Sequence, residues 1–258
     1  MGRLSRRGVG GSQRRQGRSW DGKTWTTLRI PNFDAGLETW DDLLSIVAWS
    51  DTDVWVPSRH GWIYRWNGTQ WSKMKVPQPW PTTRLERIWG TGPDNLYVIA
   101  STLPPKGRRK ELDQLRGDLY RLLHWNGSSW TTEMLSPGGT LDAIHGSGPN
   151  DVWVVGLSTA TDPYQALTYH FDGTSWTHHA LPSGSGFIRA VFATKPGEAW
   201  GVGDDSSWNT ATSSLLYRWD GRRWSVLQTG AARGLFALFA PPGARPLVAG
   251  PRLLLRGK

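Results

Sequence analysis

The sequence predicts an all-β fold: a five-bladed β-propeller built from four-stranded antiparallel blades. Three observations predict it. The first is a stretch that recurs five times, two aromatic or β-branched runs around Asn-Gly or Asp-Gly. It reads Ser19–Trp25, Arg65–Trp71, His124–Trp130, Tyr169–Trp176 and Arg218–Trp224. Asn-Gly and Asp-Gly between such runs mark a tight hairpin, expected here as a two-residue turn with φ > 0 at both central positions. The second is a pattern that follows each hairpin, seen in full over Leu141–Gly156 and again over 46–57, 85–100, 188–203 and 235–250. Each copy reads as a strand, a turn with Gly, Pro, Asn or Asp, and a second strand. The third is the period. The tryptophans closing successive hairpins, Trp25, Trp71, Trp130, Trp176 and Trp224, are 46, 59, 46 and 48 residues apart. Four strands at a period of about 45 residues is the signature of a propeller blade.

One unit therefore holds strands A to D, as in 141–146, 151–155, 166–171 and 174–180. The last unit supplies A, B and C over 235–256, and residues 19–29 supply a D strand. Pairing the N-terminal D strand with the C-terminal A–C strands closes the fifth blade and removes two open sheet edges. A fragment of a larger ring is the alternative, because Trp20 before Asp21-Gly22 has the look of the end of a C strand.

The domain reading is a disordered basic tail over 1–18 and the propeller over 19–258. The tail carries Arg3, Arg6, Arg7, Arg14, Arg15 and Arg18 and no acid. Without those six arginines the chain holds 24 basic and 21 acidic residues, so most of its net charge of +9 sits in the tail. A nucleic-acid partner is therefore not indicated; neither a recognition helix nor an alternation of cations and aromatics along one strand is visible. No apolar segment resembles a signal-peptide core, and no run of about 18 apolar residues predicts a membrane span. With no cysteine, disulfides and thiolate metal sites are excluded. The six histidines show no metal-ligand spacing, no cofactor motif is present, and neither a metal nor a cofactor is expected.

The units Gly146–Gly156 and His124–Trp130 resemble the tryptophan-rich propeller repeats of bacterial secreted and cell-surface proteins. Those are loosely related to kelch, galactose-oxidase-like and BNR (sialidase-type) repeats. The resemblance covers about residues 19–256 and implies the propeller fold and an extracellular or cell-surface location. Ser19–Trp25 is one residue too short for the Asp-box of sialidase-type repeats, and the kelch Gly-Gly pair is missing.

Most of the eighteen tryptophans are explained by the fold. Nine flank the hairpin turns, where cross-strand aromatic pairs stabilise a sheet. Trp49, Trp55, Trp89, Trp153 and Trp200 recur on strands A and B and are expected to pack between blades. Trp62 starts a C strand. Trp40, Trp80 and Trp208 break the repeat. They lie in D–A and B–C connections, which leave an antiparallel blade on one face. The long connections 31–42, 77–84, 101–117, 157–165 and 204–213 share that face. Variable loops on a rigid scaffold are where function usually resides.

Catalytic chemistry is sparse. No Gly-x-Ser-x-Gly nucleophile motif occurs. His145 occupies a position filled by aromatics in other units and reads as packing. His124 and His170 alternate with Arg65 and Arg218, which suggests an exposed strand face. Asp53 and Asp151 are expected to satisfy turn N–H groups. Strand A offers mostly Ile, Val, Ala, Arg and aromatics, a poor source of the paired carboxylates that a glycosidase needs. The sequence thus favours a non-catalytic module that recognises a glycan or protein surface through Trp40, Trp80 and Trp208, with Arg108 and Arg109 of the basic insert 104–117 nearby. A glycoside hydrolase or lyase with carboxylates in a central channel is the alternative.

Overall fold

A computed structural model describes residues 16–20, 23–31, 43–77, 83–102, 120–133, 139–158, 165–182, 186–205, 213–232, 234–241, 243, 245–250 and 253–256. These residues are all-β and form four four-stranded antiparallel sheets, a three-stranded sheet and a hairpin. The first four-stranded sheet holds β3 (Val47–Ser50), β4 (Asp53–Pro57), β5 (Trp62–Trp66) and β6 (Trp71–Lys75). The second holds β7 (Thr83–Gly92), β8 (Asn95–Thr102), β9 (Tyr120–Trp125) and β10 (Trp130–Glu133). The third holds β11 (Gly139–Gly148), β12 (Asp151–Ser158), β13 (Gln165–Phe171) and β14 (Trp176–His178). The fourth holds β15 (Phe187–Lys195), β16 (Glu198–Asp204), β17 (Ser213–Trp219) and β18 (Trp224–Ala232). The three-stranded sheet is β19 (Ala237–Phe239), β20 (Leu247–Gly250) and β21 (Leu253–Arg256), and the hairpin is β1 (Gln16–Trp20) with β2 (Trp25–Arg29).

Every sheet is a simple meander of antiparallel neighbours. The first strands of successive sheets lie against one another, β3 with β7, β7 with β11, β11 with β15 and β15 with β19. These A strands are therefore innermost. Strand B of the four-stranded sheets is buried on both faces, and its alternating side chains serve two interfaces. Leu96, Val98 and Ala100 join Trp55 and Ile63 of the preceding blade, while Tyr97 and Ile99 join Leu141, Ile144, Val152 and Val154 of the next. Trp153 repeats the pattern, meeting Trp219 and Trp224 at 5.1 and 5.0 Å. Full burial of one such side chain contributes about 1.5–3 kcal/mol.

The C–D hairpins differ from expectation in their turn. Four residues, not two, separate Trp66 from its cross-strand partner Trp71. Asn67 Oδ1 accepts hydrogen bonds from the N–H groups of Thr69 and Gln70, and the Asn67 N–H donates to the Gln70 carbonyl. Asn126, Asp172 and Asp220 do the same in their blades. The side-chain acceptor satisfies two turn donors at once, which favours this wider loop over the bare two-residue turn. The aromatic pairs form as expected, with centroids 5.3–5.8 Å apart in the four hairpins from Trp66 to Trp224. Trp25, in the N-terminal copy, is 49% exposed.

Two further differences concern the ends and the register. β2 pairs with β1, so the N-terminal segment brings a C–D hairpin from Gln16 onward rather than a lone D strand. The expected pairing of β2 with the C-terminal strands is not among the described ladders, in which β21 pairs with β20. In the first blade Val47, not Trp49, stands opposite Trp55, the place held by Trp89, His145 and Phe192 elsewhere. Trp49 still packs between blades: it meets Trp55 edge-on and donates to the Gly90 carbonyl at 3.2 Å. Trp62 packs in the core under Lys73, whose ammonium is 4.2 Å from the ring.

Candidate functional site

Strand A carries a β-bulge near its start in successive blades. In β7 the pairing steps from Leu85 opposite Ala100 to Arg87 opposite Ile99, which leaves Glu86 as the extra residue. In β11 the extra residue is Asp142, and in β15 it is Arg189. The same register places Leu44 there in the first blade, between Leu43 opposite Ser58 and Val47 opposite Trp55. In the last blade it places Phe236, before Ala237 opposite Ala249. A bulge bends the strand and re-aims one side chain. Its backbone crowds strand B: a Cβ on Gly203 would lie 1.7 Å from the Phe187 carbonyl oxygen. The five positions thus form one register-equivalent set, at the end of the innermost strands from which D–A and B–C connections leave.

The set is chemically mixed and electrostatically linked. Glu86 Oε1 accepts from Ser101 Oγ at 2.8 Å. Tyr120, at the start of β9, feels both Asp142 and Glu86; burial first, then those two charges, push its hydroxyl up to about 12. Burial also holds Asp142 above the ordinary carboxylate value, with a bond from Thr140 and the charges of Arg189 and Arg87 opposing the rise. Arg189 Nε donates to Asp204 Oδ2 at 3.0 Å. Its guanidinium lies 4.4 Å from the Phe187 ring and 5.2 Å from that of Phe236. Asp204 in turn accepts from Ser214 Oγ at 3.0 Å. Phe187 is buried, whereas Phe236 is 49% exposed.

Sequence reasoning missed this set because it judged strand A by its apolar majority. The signal was present: one charged residue at a fixed offset in Leu85-Glu86-Arg87-Ile88, Leu141-Asp142-Ala143-Ile144 and Ile188-Arg189-Ala190-Val191. The residues that it did select, Trp40, Trp80, Trp208, Arg108 and Arg109, all lie outside the described residues.

The opposite end of the blades carries a repeated structural triad. An acceptor that opens strand B bonds to a cation or imidazole on strand C, which stacks on the aromatic two residues further along strand B. Asp53 accepts from Arg65 Nε at 3.0 Å, and Arg65 lies 4.8 Å from the Trp55 ring. Asn95 Oδ1 meets His124 Nε2 at 2.8 Å, with His124 stacked on Tyr97 at 4.3 Å. Asp151 meets His170 Nε2 at 2.7 Å, with His170 stacked on Trp153 at 4.4 Å. Glu198 and Arg218 come within 4.0 Å, with Arg218 over Trp200 at 5.4 Å. His124 and His170 are thus partnered and half-buried rather than on a bare exposed face. Asp53 and Asp151 bond across to strand C; Asp53 also takes the Trp55 indole N–H at 2.8 Å.

Ser147, Asp151 and His170 are the residue types of a hydrolase triad, in the wrong order. Ser147 Oγ donates to Asp151, which also accepts from His170. The carboxylate stands between the hydroxyl and the imidazole, so no base faces the hydroxyl to activate it. His145 packs as expected, stacked on Phe192 at 4.0 Å and accepting the Ala193 N–H at Nδ1. Burial lowers its pKa to about 4. Among the described residues no group of three or more His, Asp or Glu side chains is placed to hold a metal ion, and no helix is long and apolar enough to cross a membrane.

This architecture is a β-propeller, and the solved structures that it resembles are propellers. The chain aligns with YCF48 bound to D1 peptide at 13% identity and TM-score 0.58, covering 93% of this chain and 72% of that one. It aligns with a luciferin-regenerating enzyme at 10% identity and TM-score 0.56, covering 93% and 78%. A GH74 xyloglucanase from Xanthomonas campestris aligns at 14% identity and TM-score 0.56, with 90% of this chain and 39% of that one. These neighbours include a peptide binder and enzymes, so the likeness carries the fold alone. No family model matches the chain, and no curated protein matches it.

Proposed function

We propose that the chain is a five-bladed propeller acting as a non-catalytic binding module. It recognises a glycan or protein surface through the face that carries the long B–C and D–A connections. In this reading β2 adds its second edge to β21 and completes the last blade. The observation that carries the functional reading is the bulge set. While Leu85, Leu141, Ile188 and Leu235 keep the preceding position apolar and buried, this position runs through Leu44, Glu86, Asp142, Arg189 and Phe236. Packing does not require that variety, and a position facing a ligand accommodates it. Trp40, Trp80 and Trp208, with Arg108 and Arg109, belong to connections leaving the same face and are proposed to extend the surface. The test is binding to glycan and peptide arrays by the full chain and by Trp40→Ala, Trp80→Ala and Trp208→Ala. Loss of binding with an unchanged circular dichroism spectrum is expected for at least one. Unchanged binding in all three removes these loops from the site.

One observation favours the hydrolase alternative. Asp142 is held above the ordinary carboxylate value by burial, as a general acid requires, and Glu86 occupies the equivalent position one blade away. Asp142→Asn and Glu86→Gln separate the two readings. A hydrolase loses turnover of a bound oligosaccharide in both variants; a binding module shows no turnover to lose.

A further inference from the structure

We infer that the bulge positions form a site for an uncharged sugar ring, with Phe236 as the stacking platform and Glu86, Asp142 and Arg189 bonding the hydroxyls. This rests on the reading that the loop face is the binding face, and it names the ligand class for that face.

Three features point to a neutral sugar rather than an ion. First, both signs are present side by side. Glu86 and Asp142 occupy the position in adjacent blades, and Arg189 occupies it in the next. Because Arg189 is already paired with Asp204, the set offers acceptors and donors side by side rather than one uncompensated cation for an anion. Hydroxyl groups donate to carboxylates and accept from guanidinium equally well. Second, Arg189 is fixed in place. Asp204 holds its Nε at 3.0 Å, and the Phe187 and Phe236 rings flank it at 4.4 and 5.2 Å. A planar donor set held this way loses little entropy on binding. Third, Phe236 is a large aromatic left 49% exposed where register-equivalent residues are polar or aliphatic. An aromatic face beside a guanidinium, with carboxylates at the same position in the two blades before it, matches a pyranose, whose axial C–H groups form an apolar patch rimmed by hydroxyls.

The experiment uses the full chain and an array of neutral, uronic-acid and sulfated glycans together with basic and acidic peptides. Calorimetry with the strongest neutral oligosaccharide follows, on wild type, Phe236→Ala, Phe236→Tyr, Glu86→Gln and Trp208→Ala. Neutral glycans are expected to bind. Phe236→Ala is expected to weaken that binding at least about 10-fold, Phe236→Tyr to retain it, and Glu86→Gln to weaken it several-fold. Affinity is expected to change little with added salt, because no net charge is neutralised. Binding only to basic peptides, or only to anionic glycans, overturns the inference, as does the absence of any neutral-glycan binding. If Trp208→Ala abolishes binding while Phe236→Ala and Glu86→Gln leave it intact, the bulge site falls and the loop face stands. If Phe236→Ala and Glu86→Gln leave binding unchanged, and Trp40→Ala, Trp80→Ala and Trp208→Ala do too, both fall.

Discussion

Asp151 is 3% exposed and accepts hydrogen bonds from Ser147 and His170. Asp53 holds the equivalent position two blades earlier, beside an Arg65 side chain that is 43% exposed. Position in the repeat is equal but burial is not, so the two are expected to differ in cost. Asp151→Ala takes the acceptor from the part-buried His170 imidazole, while the exposed Ser147 hydroxyl turns to water, and is expected to destabilise by about 1–3 kcal/mol. Arg65→Ala removes the half-exposed partner, leaves Asp53 holding the Trp55 indole N–H, and is expected to cost about 1 kcal/mol or less. Chemical denaturation compares them directly; equal costs would mean that the triads do not differ in burial. His145 gives a pH test. Its folded pKa, about 4, lies below the unfolded value, because burial disfavours the charged ring. Between the two values the unfolded chain binds more protons. Stability is therefore full above about pH 6.5 and falls as the pH drops toward 4. His145→Phe is expected to flatten that region of the stability curve. The packing role of His145 was legible in the sequence because aromatics occupy the matching positions. The partners of His124 and His170 were not, because they depend on which face of strand C meets strand B.

At the scale of the element, the hairpins and the bulges place opposite demands on glycine. Gly173 has φ +98°, and a Cβ there would lie 2.6 Å from Asn150. Gly173→Ala is expected to cost about 1–3 kcal/mol. Gly148, in the same blade, has nothing within 4 Å of such a Cβ. Gly148→Ala is expected to stay within about 0.5 kcal/mol of wild type. Gly203→Ala tests the bulge itself: the added methyl collides with the Phe187–Ile188 backbone just before Arg189, and a cost of about 3 kcal/mol or more is expected. Thermal midpoints of the three variants check the order. The strands and their period were readable because turn chemistry and aromatic spacing are local signals. The bulges were not, because an extra residue in one strand shows only once its partner is in place. The four-residue turns were half-legible: Asn-Gly marked the site, while the side-chain bonds from Asn67 that widen it were not visible in a dipeptide.

For the whole molecule, the propeller class follows from one repeat that packs only against its neighbours. Closure is a separate matter, since it depends on two chain segments far apart in sequence. The chain has no cysteine, so spin labels at Thr27→Cys and Arg256→Cys report closure without background. Strands pair about 5 Å apart, so labels on paired β2 and β21 are expected within about 20 Å. A much longer distance would show a ring left open. The functional claim is that ligand binds where the repeat is broken and not where it is kept. The most direct measurement is hydrogen exchange of the full chain with and without the glycan that the array selects. Protection is expected at the amides of 85–87, 120–121, 141–143, 187–190 and 235–237, with none gained at the turns 67–70, 126–129, 172–175 and 220–223. Protection confined to those turns would contradict the claim.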